Sequence, residues 1–390
     1  MNELRMAVIG YGNMGSAHAA AIAAGKVEGM RLCAVCDIDP LRLSAAGKRH
    51  PDAARFEDYR DCLAGPVDAV IIAVPHPMHA EIALAALAAG RHVLTEKPID
   101  VRVSKARALC EAARRSDRVF GIMLNQRTSP IFQRARQIVR GGELGRLKRS
   151  VWIITNWYRT QHYYDSGTWR ATWAGEGGGV LLNQAPHNLD LWQWICGMPA
   201  QVRAFCDVAR YHRIEVEDDA MLMTRNADGA TGVFITSTGE YPCTNRLEIS
   251  GEKGKLVLEN GALKWWRLRR SEEEVRFQSD ESMPGIPYEY LEHAPREPES
   301  GHVEILRNFA GAILRGEPLL APGEDGLNEL ILSNAAYLSA WTGSAEIALP
   351  MDDSLFDRLL DERAATSRYK PSATPDAPSG SYSERWKVKW

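Results

Sequence analysis

Three glycines and an aspartate near the start of the chain have the spacing of a dinucleotide site. Gly10, Gly12 and Gly15 lie in "VIGYGNMG", between an apolar run that predicts a strand and the run "SAHAAAIAA" that predicts a helix. Glycine allows a sharp strand-to-helix turn, and a helix N-terminus presents free N–H groups to a pyrophosphate. Asp37, 22 residues after Gly15, ends the next predicted strand, where an acid binds ribose hydroxyls and repels a 2′-phosphate. The pattern favours NAD over NADP; the alternative is a plain turn with a capping aspartate.

Two later segments carry groups that can hold or move a proton. Lys97, in "Glu96-Lys97-Pro98", follows a predicted strand at the edge of the sheet where ligands bind, although a surface ion pair is an alternative. In "EGGGVLLNQAPHNLDLWQW" (176–194), three glycines open a predicted helix that places Asn183 and His187 four residues apart, on one face. A lone helical histidine is more often structural, but the glycines and the amide favour a site.

The elements around these residues alternate between strand and helix as far as residue 125. The predicted strands and helices after the second strand cover residues 68–75, 79–90, 92–98, 104–116 and 119–125. Alternation of this kind, with continuous apolar strands, predicts a doubly wound parallel sheet. We therefore predict a Rossmann dinucleotide-binding domain over residues 1–125.

The second half of the chain has a different pattern. Its predicted strands follow one another through short turns, which indicates a mainly antiparallel sheet, with helices at 131–142, 302–316 and 325–343. The outward rows of this sheet carry apolar residues, so we expect that face to pair between subunits. We predict an α/β domain for substrate binding and oligomerisation over 126–365 and a Pro/Ser-rich tail over 366–390.

Composition excludes several classes of function. The 390 residues carry a formal net charge of −3, and no apolar run is long enough to span a bilayer, so we expect no nucleic-acid or membrane partner. No cleavable leader is evident, and we expect a cytoplasmic protein. The seven cysteines are scattered and odd in number, which argues against a disulfide framework. No group of residues has metal-ligand spacing, so we expect no metal.

Four segments together resemble the glucose-fructose oxidoreductase and inositol dehydrogenase family (Gfo/Idh/MocA): "VIGYGNMG", "EKP", "GGGVLLNQAPHNLD" and "DGLNELILSNAAYLS". The resemblance covers about residues 5–350. It implies a Rossmann domain followed by an α/β domain with a large open sheet, assembly as a homodimer or homotetramer, and NAD(P)-dependent chemistry on sugars, sugar derivatives or cyclitols. The family's lysine matches Lys97 and its histidine matches His187. The family's usual aspartate corresponds to Asn183, which cannot stabilise a histidinium by charge.

The implied reaction moves a hydride between the nicotinamide and a carbinol carbon. His187 is the expected general base, Lys97 the group that stabilises negative charge on the oxygen, and Asn183 the group that orients substrate or imidazole. Besides the three glycines and Asp37, we expect the cofactor to contact Tyr11, Asn13, Met14, Ala73, Val74, Pro75, His79, Glu96, Lys97 and Asn125.

Aromatic and basic residues before residue 176 provide the substrate prediction. Aromatic faces suit the C–H faces of a pyranose or cyclitol, although subunit packing is an alternative. Nearby arginines suit a carboxylate, phosphate or sulfonate, or pair with Asp165 and Glu176 instead. The predicted substrate-binding residues are Lys97, Arg127, Tyr158, Tyr163, Trp169, Arg170, Asn183, His187 and His302.

Two other functions fit the same motifs. One is an NAD-dependent glycosidase that oxidises its substrate transiently. The other is a non-catalytic regulatory protein that binds NAD or a sugar, although such a protein needs neither Lys97 nor His187.

Overall fold

The chain forms two β-sheets, each covered by helices. A computed structural model describes residues 3–167, 169–295, 300–368 and Tyr382. The first sheet has six strands and the second has nine. Among the described residues no helix combines the length and apolarity that crossing a membrane requires, and no cluster of side chains has the composition of a metal site. All seven cysteines are free thiols, as predicted.

The first sheet is parallel and doubly wound, which confirms the predicted Rossmann topology. Its strands are β1 (Leu4–Ile9), β2 (Met30–Cys36), β3 (Ala54–Phe56), β4 (Ala69–Ile72), β5 (His92–Thr95) and β6 (Phe120–Ile122). The connecting helices are α1 (Asn13–Ala23), α2 (Pro40–Arg49), α3 (Tyr59–Ala64), α4 (His79–Ala88) and α5 (Val103–Arg114). The strand order is β3-β2-β1-β4-β5-β6. The order reverses between β1 and β4, which opens a crevice at their carboxyl ends where ligands of such sheets bind.

The second sheet is mainly antiparallel, as predicted, with one parallel pair. Its strands are β7 (Leu147–Ile154), β8 (Gln201–Val208), β9 (Glu217–Arg225), β10 (Thr231–Ser237), β11 (Asn245–Gly251), β12 (Gly254–Glu259), β13 (Ala262–Leu268), β14 (Tyr288–His293) and β15 (Ile347–Ala348). The helices are α6 (Pro130–Arg140), α7 (Gln161–Asp165), α8 (Pro186–Cys196), α9 (Glu272–Gln278), α10 (Gly301–Arg315), α11 (Gly326–Trp341) and α12 (Asp353–Ala364). The order is β14-β13-β12-β11-β7-β10-β9-β8-β15, and β7 runs parallel to β10.

Two helices pack on the two sheets: α8 packs on the second sheet, and α12 packs on α5 of the first sheet. Trp152 on β7 and Phe234 on β10 are fully buried on the inner face of the second sheet, and the Trp192 ring of α8 packs on Phe234. At the other end of the chain, α12 returns to the first sheet, where Arg107 of α5 pairs with Asp353 at 2.8 Å.

The segment 176–194 differs from the predicted single helix. Residues Val180–Gln184 form a π-helical turn, and α8 begins only at Pro186. Proline lacks a backbone N–H and disfavours helical geometry in the residue before it, so the two helical segments separate at Ala185. Asn183 and His187 therefore belong to different elements. The predicted placement of both residues on one helical face was wrong.

The predicted tail lies largely outside the described residues. Within residues 366–390, only 366–368 and Tyr382 are described. The sequence analysis also did not predict α12, which precedes the tail and pairs with α5.

Candidate functional site

The glycine turn leaves open space where a pyrophosphate would bind. Gly10 has a φ of +90°, and a Cβ there would lie 2.3 Å from the Ala73 carbonyl oxygen. A Cβ on Gly15 would lie 1.7 Å from the Gly10 carbonyl oxygen, so both glycines are required by the fold. A Cβ on Gly12 would meet only Arg42 Nη1, at 3.9 Å. Packing within the protein therefore does not require glycine at position 12, whereas a pyrophosphate close to the N-terminus of α1 would require it.

Asp37 ends β2 next to this turn, and it fits the ribose of NAD. The side chain is 6% exposed, its Oδ2 accepts the Tyr11 N–H at 2.6 Å and its Oδ1 accepts the Asp39 N–H at 2.9 Å. A carboxylate has about four acceptor sites, so two remain for hydroxyls. Arg42 Nη1 lies 3.6 Å from Oδ2. The Tyr11 side chain is fully buried, so only the backbone of this residue borders the turn.

Most other predicted cofactor residues lie along the same edge of the sheet. Asn13 and Met14 form the first turn of α1, while Ala73, Val74 and Pro75 follow β4. Asn125 follows β6, and its Oδ1 is buried with no hydrogen-bond partner in the described part of the chain.

His79, expected to contact the cofactor, is buried between two loops of the first sheet. It is 1% exposed, its Nδ1 lies 2.6 Å from the Pro98 carbonyl and its Nε2 lies 2.9 Å from the Val74 carbonyl. Burial lowers the pKa of His79, while these carbonyl contacts act in the opposite direction. The imidazole joins the loop after β4 to the loop after β5, so both of its ring nitrogens have partners within the protein.

Glu96 belongs to a chain of hydrogen bonds that the sequence analysis did not predict. Its Oε1 lies 2.8 Å from Nε2 of His18 on α1, and Nδ1 of His18 lies 2.8 Å from the hydroxyl of Tyr382. The Tyr382 ring stacks on His302 at 4.5 Å. Burial raises the pKa of Glu96, but the hydrogen bond and charge of His18 outweigh it and bring the pKa to about 2. Burial lowers the pKa of His302 to about 4.

Lys97 connects the two halves of the site. Its Nζ donates to the backbone carbonyl of Asn183 at 2.7 Å, which joins the loop after β5 to the π-helical turn. Burial lowers the pKa of Lys97, while the carboxylates of Glu96, Glu329 and Glu176 act to raise it. The lysine is therefore held in place and its ammonium form is less favoured than in water.

His187 lies at the start of α8 and is half-buried. Burial and then the positive charge of Lys97 hold the pKa of His187 well below its usual value. Its Nδ1 is buried and has no hydrogen-bond partner among the described residues. The side chain is thus neutral at pH 7, as a proton acceptor requires.

Glu217 at the start of β9 holds the π-helical turn in place. The carboxylate is fully buried and accepts the N–H groups of Gly179 and Leu181, each at 2.9 Å, and the hydroxyl of Tyr337 at 2.7 Å. A Cβ on Gly178 would lie 2.2 Å from that hydroxyl. The glycines before Asn183 therefore allow close packing against Glu217 and Tyr337, and burial raises the pKa of Glu217 to about 7.

A polar cluster of predicted substrate residues lies beside Asn183. The Tyr163 hydroxyl accepts from Arg170 Nη1 at 2.9 Å and from Gln184 Nε2 at 3.2 Å, and Asn183 Nδ2 lies 3.5 Å away. Asn183 Nδ2 also donates to the buried carboxylate of Glu176. Trp169 borders the cluster, with the Arg170 guanidinium over its ring at 4.8 Å.

Three predicted substrate residues do not join this cluster, and one of them, His302, stacks on Tyr382 instead. Arg127 is 1% exposed and is held by Asp190, through contacts of 2.6 and 2.8 Å, and by Asp325 at 2.6 Å. Such a buried, doubly paired guanidinium is structural, so the prediction that it binds substrate is corrected. Tyr158 is 47% exposed and its ring lies 5.8 Å from that of Tyr241, outside the cluster.

Three site residues, His18, Glu217 and Tyr382, were not assigned a role from the sequence, and Glu176 was named only as an alternative partner of the arginines. His18 lies one helical turn beyond Gly15, and Glu176 directly precedes the glycine triplet, so both had a local signal. Glu217 and Tyr382 are distant in sequence from their partners, and no local pattern marks them.

Two family models match the sequence. Residues 4–124 match the model described as an oxidoreductase family with an NAD-binding Rossmann fold, and residues 132–257 match the GFO/IDH/MocA C-terminal domain. Among curated proteins, myo-inositol 2-dehydrogenase of Thermotoga maritima is 25% identical over 343 residues, covering 86% of this chain and 96% of that protein. Levoglucosan dehydrogenase of Pseudarthrobacter phenanthrenivorans is 26% identical, covering 72% and 78%.

Solved structures agree with these matches. The WlbA dehydrogenase of Bordetella pertussis, in complex with NADH and UDP-GlcNAcA, is 28% identical and has a TM-score of 0.73 over 90% of this chain and 100% of that one. A levoglucosan dehydrogenase in complex with NADH and levoglucosan shares the fold, with a TM-score of 0.74 at 22% identity over 90% and 100% of the two chains. The chain therefore belongs to the GFO/IDH/MocA family of NAD-binding oxidoreductases.

Proposed function

We propose that this protein is an NAD-dependent dehydrogenase that interconverts a secondary hydroxyl and a ketone on a sugar, sugar derivative or cyclitol. The observation that carries the proposal is the pairing of Lys97 and His187 at the edge of the cofactor crevice. Both are basic groups whose pKa is lowered by burial. A regulatory NAD-binding protein has no use for two such groups facing one space.

Oxidation of an alcohol removes one proton and one hydride, and His187 and Lys97 both act on the hydroxyl group. His187, neutral at pH 7, accepts the hydroxyl proton as general base. Lys97 donates a hydrogen bond to the same oxygen and stabilises negative charge as it develops. NAD, when bound, supplies the hydride acceptor at C4 of its nicotinamide. The alcohol thereby loses two electrons and two hydrogens, one as hydride and one as the proton on His187.

The substrate class rests on the cluster beside Asn183. Trp169 offers an aromatic surface for the C–H face of a ring, and the Asn183 amide, the Tyr163 hydroxyl and Arg170 offer polar contacts to its substituents. Relatives of this chain are named for inositol and levoglucosan, and one solved relative holds a nucleotide sugar acid. These names support a polyhydroxylated ring as substrate.

Absorbance at 340 nm tests the activity, with NAD and a panel that includes myo-inositol, levoglucosan and glucose. Lys97→Ala and His187→Ala should each lower kcat by roughly 100-fold or more, the usual scale for a general base. Both variants should keep wild-type NADH affinity in a fluorescence titration. Near-normal turnover in either variant contradicts the assignment. Cleavage of a nitrophenyl glycoside without net NADH formation supports the glycosidase alternative instead.

The pH profile provides a second test of the same pair. Oxidation requires neutral His187, so the acidic limb of kcat/KM should lie below 6.5, the usual histidine pKa. The charge of Lys97 contributes to that lowering, so the residual activity of Lys97→Ala should show the limb at higher pH. If the acidic limb of kcat/KM lies at the same pH in wild type, Lys97→Ala and His187→Ala, the general base is another group.

We also propose that two or four copies associate through the outer face of the second sheet. Phe205 on β8 and Met223 on β9 are 48% and 39% exposed on that face, and Tyr290 on β14 is 46% exposed. Light scattering coupled to size exclusion should give a dimer or tetramer, and Phe205→Glu should dissociate it. A monomeric wild-type protein contradicts this assembly.

A further inference from the structure

We propose that Glu176 is a positioning residue that fixes the side-chain amide of Asn183, so that Asn183 Oδ1 is presented to a substrate hydroxyl as an acceptor. This inference rests on the proposed function. It explains how the site works with an amide at the position where the family resemblance implies a carboxylate.

Glu176 is held rigidly by groups that all donate to it. The residue is 1% exposed, one carboxylate oxygen accepts the Ala171 N–H and the other accepts from Nδ2 of Asn183. Its backbone carbonyl lies 3.1 Å from Nδ1 of the buried His76. Each carboxylate oxygen therefore has a donor from the protein, and these two hydrogen bonds hold the buried carboxylate in one orientation. Its effect on a substrate must pass through Asn183.

The neighbours of Asn183 leave the amide only one satisfied orientation. The NH2 group faces the Glu176 carboxylate and, at 3.5 Å, the Tyr163 hydroxyl. If the amide turned over, its oxygen would face a carboxylate, and two acceptors would oppose each other. Oδ1 accepts no hydrogen bond from any described residue, and Asn183 is 8% exposed. The side chain thus offers an uncharged acceptor next to Lys97, whose Nζ is fixed on the Asn183 backbone carbonyl at 2.7 Å.

The same geometry explains why an aspartate would be unfavourable here. Two carboxylates in contact cannot both ionise readily, so one would bind a proton. Burial already raises the pKa of Glu176, with Arg170 acting against the rise. With asparagine at position 183, the pair carries at most one negative charge, on Glu176, and presents one acceptor toward the substrate.

An exchange of the two side chains tests this arrangement. In Glu176→Gln, the glutamine oxygen must accept the Ala171 N–H, so its NH2 faces Asn183 and turns the amide, placing a donor where the substrate hydroxyl donates. We expect kcat/KM for the best substrate of the panel to fall about 10- to 100-fold, the scale of a misplaced polar group. Asn183→Asp alone should also lose activity, through carboxylate repulsion.

The double variant Glu176→Gln/Asn183→Asp restores a donor facing an acceptor and leaves one carboxylate oxygen toward the substrate. We expect its kcat/KM to recover to within about fivefold of wild type, with NADH affinity unchanged in all variants. Glu252→Gln is the matched control, because Glu252 is 9% exposed and pairs with Arg146 at 2.7 Å, far along the chain from this cluster. The proposal fails if Glu176→Gln is fully active, or if the double variant is no better than the poorer single variant.

A measurement without substrate separates this proposal from the proposed function. In protein labelled with ¹⁵N asparagine, the side-chain signal that disappears in Asn183→Asp belongs to Asn183. One of its protons should be shifted downfield by the carboxylate and should move upfield in Glu176→Gln but not in Glu252→Gln. An unmoved signal overturns the proposal even if the enzyme is active. A moved signal with no turnover on the panel supports the positioning and contradicts only the proposed activity.

Discussion

Exchange of Asp37 for asparagine should lower the preference of this protein for NAD over NADP. The side chain keeps its shape, but the amide can no longer accept both the Tyr11 N–H and the ribose hydroxyls. Loss of a hydrogen bond to a charged group costs about 1.5–3 kcal/mol, so kcat/KM with NAD should fall roughly 10- to 100-fold.

The opposite change is expected for NADP. A 2′-phosphate about 4 Å from the Asp37 carboxylate is repelled by about 4 kcal/mol per pair of unit charges at an effective dielectric constant near 20. Removing that charge also releases Nη1 of Arg42, which lies 3.6 Å from Asp37 Oδ2, to pair with the phosphate, while Nε of Arg42 keeps its contact of 3.6 Å with Asp39. The ratio of kcat/KM for NAD to that for NADP should therefore fall by at least about 100-fold.

Initial rates at 340 nm with each cofactor measure this ratio, and two variants check its cause. Asp39→Asn removes a neighbouring charge that caps α2 through the Leu41 N–H at 2.9 Å, and it should change the ratio less than about threefold. Asp37→Asn/Arg42→Ala should lose the gain with NADP. Thermal unfolding must accompany the kinetics, because Asp37 also holds the glycine turn. An unchanged ratio in a folded Asp37→Asn protein refutes the role given to this carboxylate.

Three further predictions follow from contacts in the site. Gly12→Ala should keep the wild-type melting temperature but lose NADH affinity at least tenfold in a fluorescence titration. Gly10→Ala should instead lower the melting temperature, because its Cβ would lie 2.3 Å from a carbonyl oxygen. Arg127→Met should lower the free energy of unfolding, measured in urea, by about 3–5 kcal/mol, because it leaves Asp190 unpaired. The folded fraction should keep the wild-type kcat, and a large drop in kcat would show that Arg127 binds substrate. Tyr382→Phe removes the hydroxyl that lies 2.8 Å from His18, whose other ring nitrogen contacts Glu96, a predicted cofactor residue. This variant should therefore weaken NADH binding about two- to tenfold, while the exposed control Tyr211→Phe should not.

The fold was predictable because its signals are local. Val70, Ile71 and Ile72 form a run that is fully buried in β4, and only a strand covered on both sides requires such continuous apolarity. Gly10 and Gly15 were recognisable because close backbone packing excludes every other residue at these positions. Signals of this kind depend on a few neighbouring residues, so a single sequence contains them.

The internal geometry of the site was less predictable, because it depends on a local break and on distant partners. Pro186 ends the π-helical turn and starts α8, which places Asn183 and His187 on separate elements although their spacing fits one helical face. The carboxylate that holds this turn, Glu217, comes from β9, more than 30 residues later in the chain. Only the three-dimensional packing of that strand on the turn brings them together.

The two arginines predicted to bind substrate show the same limit on what a sequence contains. Arg127 and Arg170 are of one residue type and both lie near the aromatic segment, so local chemistry cannot separate them. Their surroundings differ because Arg127 meets Asp190 and Asp325 in the core, while Arg170 is half-buried against the Tyr163 hydroxyl. A buried guanidinium needs carboxylates for its donors, and once it has them its donors are no longer available to a ligand. The position of distant acids in the fold, more than the arginine itself, therefore decides which of the two guanidinium groups is buried among carboxylates.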